Sequence, residues 1–188
     1  MYAPEETLMV SGGTDAGLAV GQLFLVRRSS LHRLQPRNLP TEVFGIRTLG
    51  VVKIDAVTGH LATAQAVELC EAFVEGDWLD PFVPVALPPT PEATRPDYDR
   101  TGVVLFGDFS RQTAAPGEMV IVDRGAGDAL TVGTAVTVFR ETVMGGPIKD
   151  VAFGVVVDVG ETTATIRIEQ ARDAVFAGDR VAFHISRQ

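Results

Sequence analysis

Apolar and polar residues alternate with a period of two through much of this chain. In TATIRIE, Ala164, Ile166 and Ile168 alternate with Thr163, Thr165, Arg167 and Glu169, which turns one face to a core and the other to water. Ala62, Ala64 and Ala66 follow the same pattern earlier in the chain. AVTVFR, GVVVDV, MVIVD, RVAFHI, GVVKI and LFLVRR are β-branched and aromatic runs of strand length. Between them stand APGE, GAGD, VGET and AGD, where glycine supplies a positive φ and aspartate bonds nearby backbone N–H groups. Helical signal is weak. ATAQAVELCEAFV has helical propensity, but its counterpart ATIRIEQARDAVF begins as a strand. The stretch reads as a strand entering a turn, with room for one short helical turn near Glu71 or Asp173. Strands at this spacing without helices predict an all-β chain.

The pattern is written twice. Ala3, Pro4, Glu6, Val10, Gly13, Leu18, Val20, Gly21, Val26 and Arg28 match Ala115, Pro116, Glu118, Val122, Gly125, Leu130, Val132, Gly133, Val138 and Arg140, always 112 residues on. FVEGDWL and VFAGDRV then set Gly76 and Asp77 beside Gly178 and Asp179, now 102 residues on. The lost ten residues are expected in two connections, because SSLHRLQPRNLPTEVFG and DAVTGHLAT exceed their counterparts ETVMGGPIKDVAFG and DVGETTAT.

Six of the eleven prolines fall between Pro81 and Pro96, where fixed φ and missing N–H groups predict an extended, semi-rigid linker. The expected organisation is a first β domain over 1–82, a proline-rich linker over 83–100 and a second β domain over 101–188. The fold class is therefore two tandem, internally duplicated, small antiparallel β-barrel or sandwich domains of five or six strands each. The second copy opens with GVVLFGD, residues 102–108, and the first has no counterpart to it. The first domain is thus expected to lack its opening strand. Either the native polypeptide continues upstream, the preferred expectation, or another segment or molecule fills the gap.

Composition narrows the partners. With 46% hydrophobic and 21% charged residues the chain can bury a core. A net charge of −8 without a Lys/Arg cluster argues against nucleic acid and anionic lipid. No apolar run approaches the roughly 18–20 residues of a membrane span, so this segment is not expected to insert. The N-terminus carries no signal-peptide pattern. The single cysteine, Cys70, stands among apolar residues and is expected to be a small buried hydrophobe.

Candidate chemistry is sparse. DRGAGD, residues 123–128, lacks the lysine and following helix of a phosphate loop and the ligand spacing of a calcium loop, so it reads as a turn. His32, His60 and His184 have no partner at metal-ligand spacing and read as surface or edge histidines. Ser11, Ser29, Ser30, Ser110 and Ser186 lie outside any G-x-S-x-G motif, and Cys70 has no neighbouring base. Glu75 with Asp77 belongs to a turn, and Asp97 with Asp99 to the linker. Trp78 replaces Arg180 of the second copy and is expected to pack in the core or on the linker, although it could stack on a sugar if it faced solvent. No residue is assigned a catalytic, cofactor-binding or metal-binding role, and a non-enzymatic protein is expected.

The stretches IVDRGAGDALTVGTAVTVFR and GVVVDVGETTATIRIEQARDAVFAGDRV, with their weaker first-copy versions, resemble the repeated β region C-terminal to LysM peptidoglycan-binding modules in bacterial cell-envelope proteins. They are also similar to the C-terminal domain of the flagellar assembly protein T family. The first copy departs from the pattern, with Ser11 and Gly12 where the second has Asp123 and Arg124. The resemblance implies a periplasmic or envelope location and a spacer or docking role behind a LysM domain, with protein or cell-wall partners reached through the full-length protein. It carries no cofactor and no catalytic residue. Two further expectations stand beside it: a flagellar basal-body assembly component, and a ligand-binding or hydrolytic domain that uses an inter-domain cleft.

Overall fold

A computed structural model describes residues 7–33, 42–84, 86–89, 94–107, 113–141, 143 and 146–184. They fall into two compact units that divide between residues 85 and 86, and both are built of antiparallel β-sheet. The first unit holds β1 (Thr7–Ser11), β2 (Leu23–Arg33), β3 (Glu42–Val57), β4 (Leu61–Leu69) and β5 (Trp78–Pro81). These form one curled sheet in the order β1-β4-β3-β2-β5.

The second unit contains β6 (Pro96–Gly107), β7 (Thr113–Ala114), β8 (Met119–Val122), β9 (Ala135–Glu141), β10 (Ile148–Val159), β11 (Ala164–Ala171), β12 (Val175–Phe176) and β13 (Arg180–His184). Six of them close a barrel in the order β10-β11-β8-β6-β13-β9, and β7 and β12 make a small ribbon. Read as β8-β11-β10-β9-β13, the barrel repeats the strand order of the first unit. Its sixth strand, β6, joins β13 to β8 and closes the ring.

Each unit has its own core. The barrel core contains Val104, Val120, Val122, Val136, Val138, Val156, Ile166, Ile168, Val181 and Phe183. That of the first unit contains Leu8, Val26, Leu49, Val52, Ile54, Ala62, Ala64 and Phe73. Most are the inward positions of the alternating runs; a bulge between Val51 and Val52 shifts the alternation after Leu49, and Phe73 comes from the connection between β4 and β5.

The ten-residue difference lies in one place. From Arg28 and Arg140 to Ile46 and Ile148 the spacing falls from 112 to 102, and thereafter the registers agree: Val57 pairs with Ala62 and Val159 with Ala164. The hairpin from β3 to β4 therefore equals that from β10 to β11 in length. The whole difference belongs to the β2–β3 connection, whose tip lies outside the described residues.

Short 3-10 turns occur at Thr14–Ala16 and Ala126–Asp128, whereas the chain near Glu71 and Asp173 only bends. Both 3-10 turns begin after a glycine pressed against the neighbouring hairpin. A Cβ on Gly125 would stand 2.5 Å from the Gly160 carbonyl oxygen, and one on Gly13 would stand 2.0 Å from that of Thr58. No side chain fits there. The strand β6 begins at Pro96, inside the stretch the sequence predicts as linker, and Pro96 pairs with His184. Proline is tolerated at the first residue of a strand, where no ladder N–H is needed.

Gly125→Ala is expected to destabilise the barrel by about 1–3 kcal/mol through forced displacement of the β10–β11 hairpin. A urea titration followed by circular dichroism would show the lower midpoint.

Candidate functional site

The same ionic arrangement is built in both units. In the first, Arg28 on β2 holds Asp77 through two bonds, Nε to Oδ1 at 2.7 Å and Nη2 to Oδ2 at 2.8 Å. In the second, Arg140 on β9 holds Asp179 at 2.6 and 2.7 Å through the same atoms. Each arginine Nη2 also donates to a backbone carbonyl, of Ala72 or Ala174. Each aspartate Oδ2 also accepts a backbone N–H, from Val74 or Phe176. The aspartates follow Gly76 and Gly178, whose φ values of 97° and 94° lie where glycine is favoured. The turn thus aims a carboxylate inward at the arginine of the adjacent strand, just before β5 or β13 begins.

A second acid and a second cation extend each pair. Glu71 lies 3.0 Å from Arg28 and 3.1 Å from Arg47. At the corresponding positions Asp173 lies 2.9 Å from Lys149 and 3.9 Å from Arg140. Arg28 lowers the pKa of Asp77 against the opposing effect of burial, and the pKa values of Arg28 and Arg140 are raised by their aspartate partners. Charges paired this way lock a strand start in place, and a guanidinium held protonated is a poor proton donor.

One buried polar cluster stands apart from these pairs. His184, on β13, is 7% exposed; its Nε2 lies 2.8 Å from the Thr137 hydroxyl and its Nδ1 3.1 Å from that of Thr94. Phe153 meets the ring edge-on. Nearby, the Tyr98 hydroxyl donates to Asp150 at 2.8 Å, and its ring packs edge-on to Phe139. Burial lowers the His184 pKa, with Asp150 opposing. Burial, then the bond to Asp150, raises that of Tyr98. Both imidazole nitrogens are engaged by hydroxyls, so the neutral ring is satisfied without water.

Among the described residues the first unit has no strand where the barrel has β6. Among the described residues no strand pairs with the outer edge of β1 or of β5. Val10, Leu18, Phe24 and Leu79 pack on the core only partly buried, whereas their counterparts Val122, Leu130, Val136 and Val181 are buried. A concavity of about 590 Å³ opens on this side, lined by Leu18, Leu23, Phe24, Pro81, Phe82 and Pro84.

The residues singled out in the sequence are dispersed. Cys70, expected to be buried, is exposed: β4 ends at Leu69, and the Cys70 N–H turns back to the Leu49 carbonyl, leaving the side chain outside. His184, expected at a surface or edge, is buried although it alternates with the core residue Phe183 and so points away from the barrel core: Thr94, Thr137 and Phe153 cover it on that outward face. His60 is exposed beside Asp15 at 2.7 Å, and His32 is the last residue but one of β2. Ser11 ends β1 in the open, and Ser29 and Ser30 lie on β2; Ser110 and Ser186 lie outside the described residues. Asp77 is drawn to Arg28 while Glu75 is exposed. Asp97 caps the Asp99 N–H, and Trp78 is half-buried on β5.

Among the described residues no three His, Cys, Asp or Glu side chains gather to hold a metal ion, and no helix is long and apolar enough to cross a membrane. The repeated clamp was visible in the sequence as matched residues, yet its pairing was not. The usable signal was charge in place of identity: Arg47 with Lys149 and Glu71 with Asp173 hold the same spacing of 102. Comparison with protein-family models and with curated proteins finds no match for this chain.

Asp77→Ala is expected to lower the stability of the first unit by about 1.5–3 kcal/mol, because it removes the charge-assisted bonds of Asp77 and leaves the part-buried Arg28 guanidinium with Glu71 as its acidic partner. Trp78, the single tryptophan, reports that unfolding by fluorescence. A second expectation concerns pH. Since His184 titrates below its ordinary 6.5 when folded, the unfolded chain binds the proton that the folded chain refuses. Its contribution is complete above about pH 6.5 and declines as pH falls toward the folded value. His184→Gln should flatten this slope in urea midpoints measured from about pH 5 to about pH 8.

Proposed function

We propose that this chain is a non-enzymatic interaction module of a bacterial envelope protein, built from two copies of one β unit, which acts as a spacer or docking region behind a peptidoglycan-binding LysM domain. The observation that carries the docking role is the contrast in closure. The barrel buries its inward residues, while the first unit leaves Val10 and Leu79 partly exposed beside two strand edges that have no described partner. Partly exposed inward residues beside free edges are a recurrent way of binding another polypeptide. The shared clamp supports the spacer role, because it ties β5 and β13 to their neighbours by bidentate bonds. The envelope location rests on the resemblance of the GAGDALTVG and AGDRV stretches to LysM-associated β regions.

The test is made on the natural protein in its own cells. Benzoylphenylalanine is placed in turn at Met9 and Val67, which are 72% and 60% exposed, followed by fractionation and irradiation. Recovery in the envelope fraction with a discrete protein adduct is expected. A cytosolic protein without adducts from either position would overturn the proposal.

A further inference from the structure

We infer that the gap between β1 and β5 is an acceptor for one extended, apolar strand of a partner polypeptide, inserted antiparallel to both edges. This deepens the docking role proposed above by naming the kind of partner, and rests on it in that respect alone. The template is inside the molecule. In the barrel, β6 pairs with β13 through Val103 with Arg180, Gly102 with Val181 and Thr101 with Ala182. It pairs with β8 through Val104 with Val122, Phe106 with Ile121 and Gly107 with Val120. The corresponding positions of the first unit are Trp78, Leu79 and Asp80 on β5 and Leu8, Met9 and Val10 on β1. The incoming strand therefore needs about seven residues, with valine- or leucine-sized side chains inward to cover Val10 and Leu79 as Val104 does in the barrel.

The pocket marks the path of the strand. Its walls include Pro81 and Phe82, whose counterparts Phe183 and His184 pair with Asp97 and Pro96 of β6. The segment preceding the inserted strand would thus lie along Leu18, Phe24 and Phe82.

The rim sets selectivity. In the barrel the Asp123 carboxylate accepts the Val103 N–H at 2.6 Å, and the Asp123 N–H donates to the Val103 carbonyl. A Cβ on Gly102 would meet Asp123 and Arg124 side-chain atoms at 2.9 Å, so a side chain there would have to displace the carboxylate lock. In the first unit Ser11 and Gly12 stand there instead. The slot keeps the outward backbone of β1, omits the carboxylate lock, and has room for a side chain where β6 has glycine.

A second copy of this chain is a poorer occupant. Closing the gap needs a strand with both edges free, and β1 and β5 of another copy are each already paired on one side. A net charge of −8 on each copy adds repulsion.

The experiment uses the whole chain and a fluorescent synthetic peptide carrying the sequence of residues 96–107. Saturable one-to-one binding by anisotropy is expected, with slowed amide exchange at Met9, Ser11 and Leu79 and no change on β8 or β13. Ser11→Asp, which restores the lock, should bind about tenfold more tightly, and a peptide with Val104→Lys should not bind. Four results would overturn the inference: no binding to either protein, protection on β8 and β13 in place of β1 and β5, edge amides already protected in the isolated monomer, or protection appearing only with dimerisation. Such failure would leave the docking role standing if cross-links form from Val67.

Discussion

The position of the last strand in each unit depends on a carboxylate that the chain delivers into a partly buried site and an arginine that meets it there. Asp77 and Asp179 are 6% and 4% exposed in their side chains, so each would be costly without its partner. A short turn with a glycine at positive φ and a backbone N–H returned to Oδ2 is enough to present the group. Once the arginine of β2 or β9 has closed on it through two parallel bonds, the first residue of the following strand has one register available. Buried ion pairs contribute little net stability compared with apolar packing. Their value here is geometric, because β5 and β13 are the strands beside which the sixth position lies, open next to β5 and filled by β6 next to β13 among the described residues.

Beside those strands the two units diverge. Five strands in a common order wrap most of the way around a core, and the sixth position decides whether the backbone groups of the outer strands find partners. In the barrel, β6 supplies them and adds Val104 to the core. In the first unit the same inward positions are filled by Val10, Leu18, Phe24 and Leu79, all apolar, although they are less covered. Complete burial of one such side chain is worth about 1.5–3 kcal/mol. A core bounded by five strands among the described residues thus gains from further cover, and the serine at the position of Asp123 omits the carboxylate that pins β6 in the barrel.

Much of this fold was legible before any coordinates. Alternation at 163–169 marked β11, and the matched residues separated by 112 marked the correspondence of β1 and β2 with β8 and β9. What remained hidden has a common physical cause, in that it depends on residues far apart in sequence. Arg28 and Asp77 stand 49 positions apart, so matching each to its counterpart could not show that they touch. His184 alternates out of phase with the core residues Val181 and Phe183, and what covers it on the outer face, Thr94 and Thr137, lies 90 and 47 positions away. Cys70 looked interior from its apolar neighbours, but the end of β4 one residue earlier broke the alternation that would have turned it inward. Loop composition also misleads: DAVTGHLAT looks longer than DVGETTAT when the two aspartates are matched, yet the hairpin register makes the connections the same length.

The buried histidine and the repeated clamps answer to acid in different ranges, and the difference bears on how the protein is built. His184 resists protonation because its surroundings offer hydroxyls and an aromatic edge in place of water. Its contribution to stability therefore weakens as soon as pH drops below the ordinary histidine range. Asp77 resists protonation because Arg28 favours its charge, so its contribution persists well below neutrality and is lost only as pH falls through its lowered folded value, beneath the ordinary 3.8. Mild acid therefore bears on the covered outer face of the barrel, through one ring and its two threonines, before it reaches the carboxylate that places β5. The edges of the open sheet keep their geometry across that interval, as a strand-accepting surface requires.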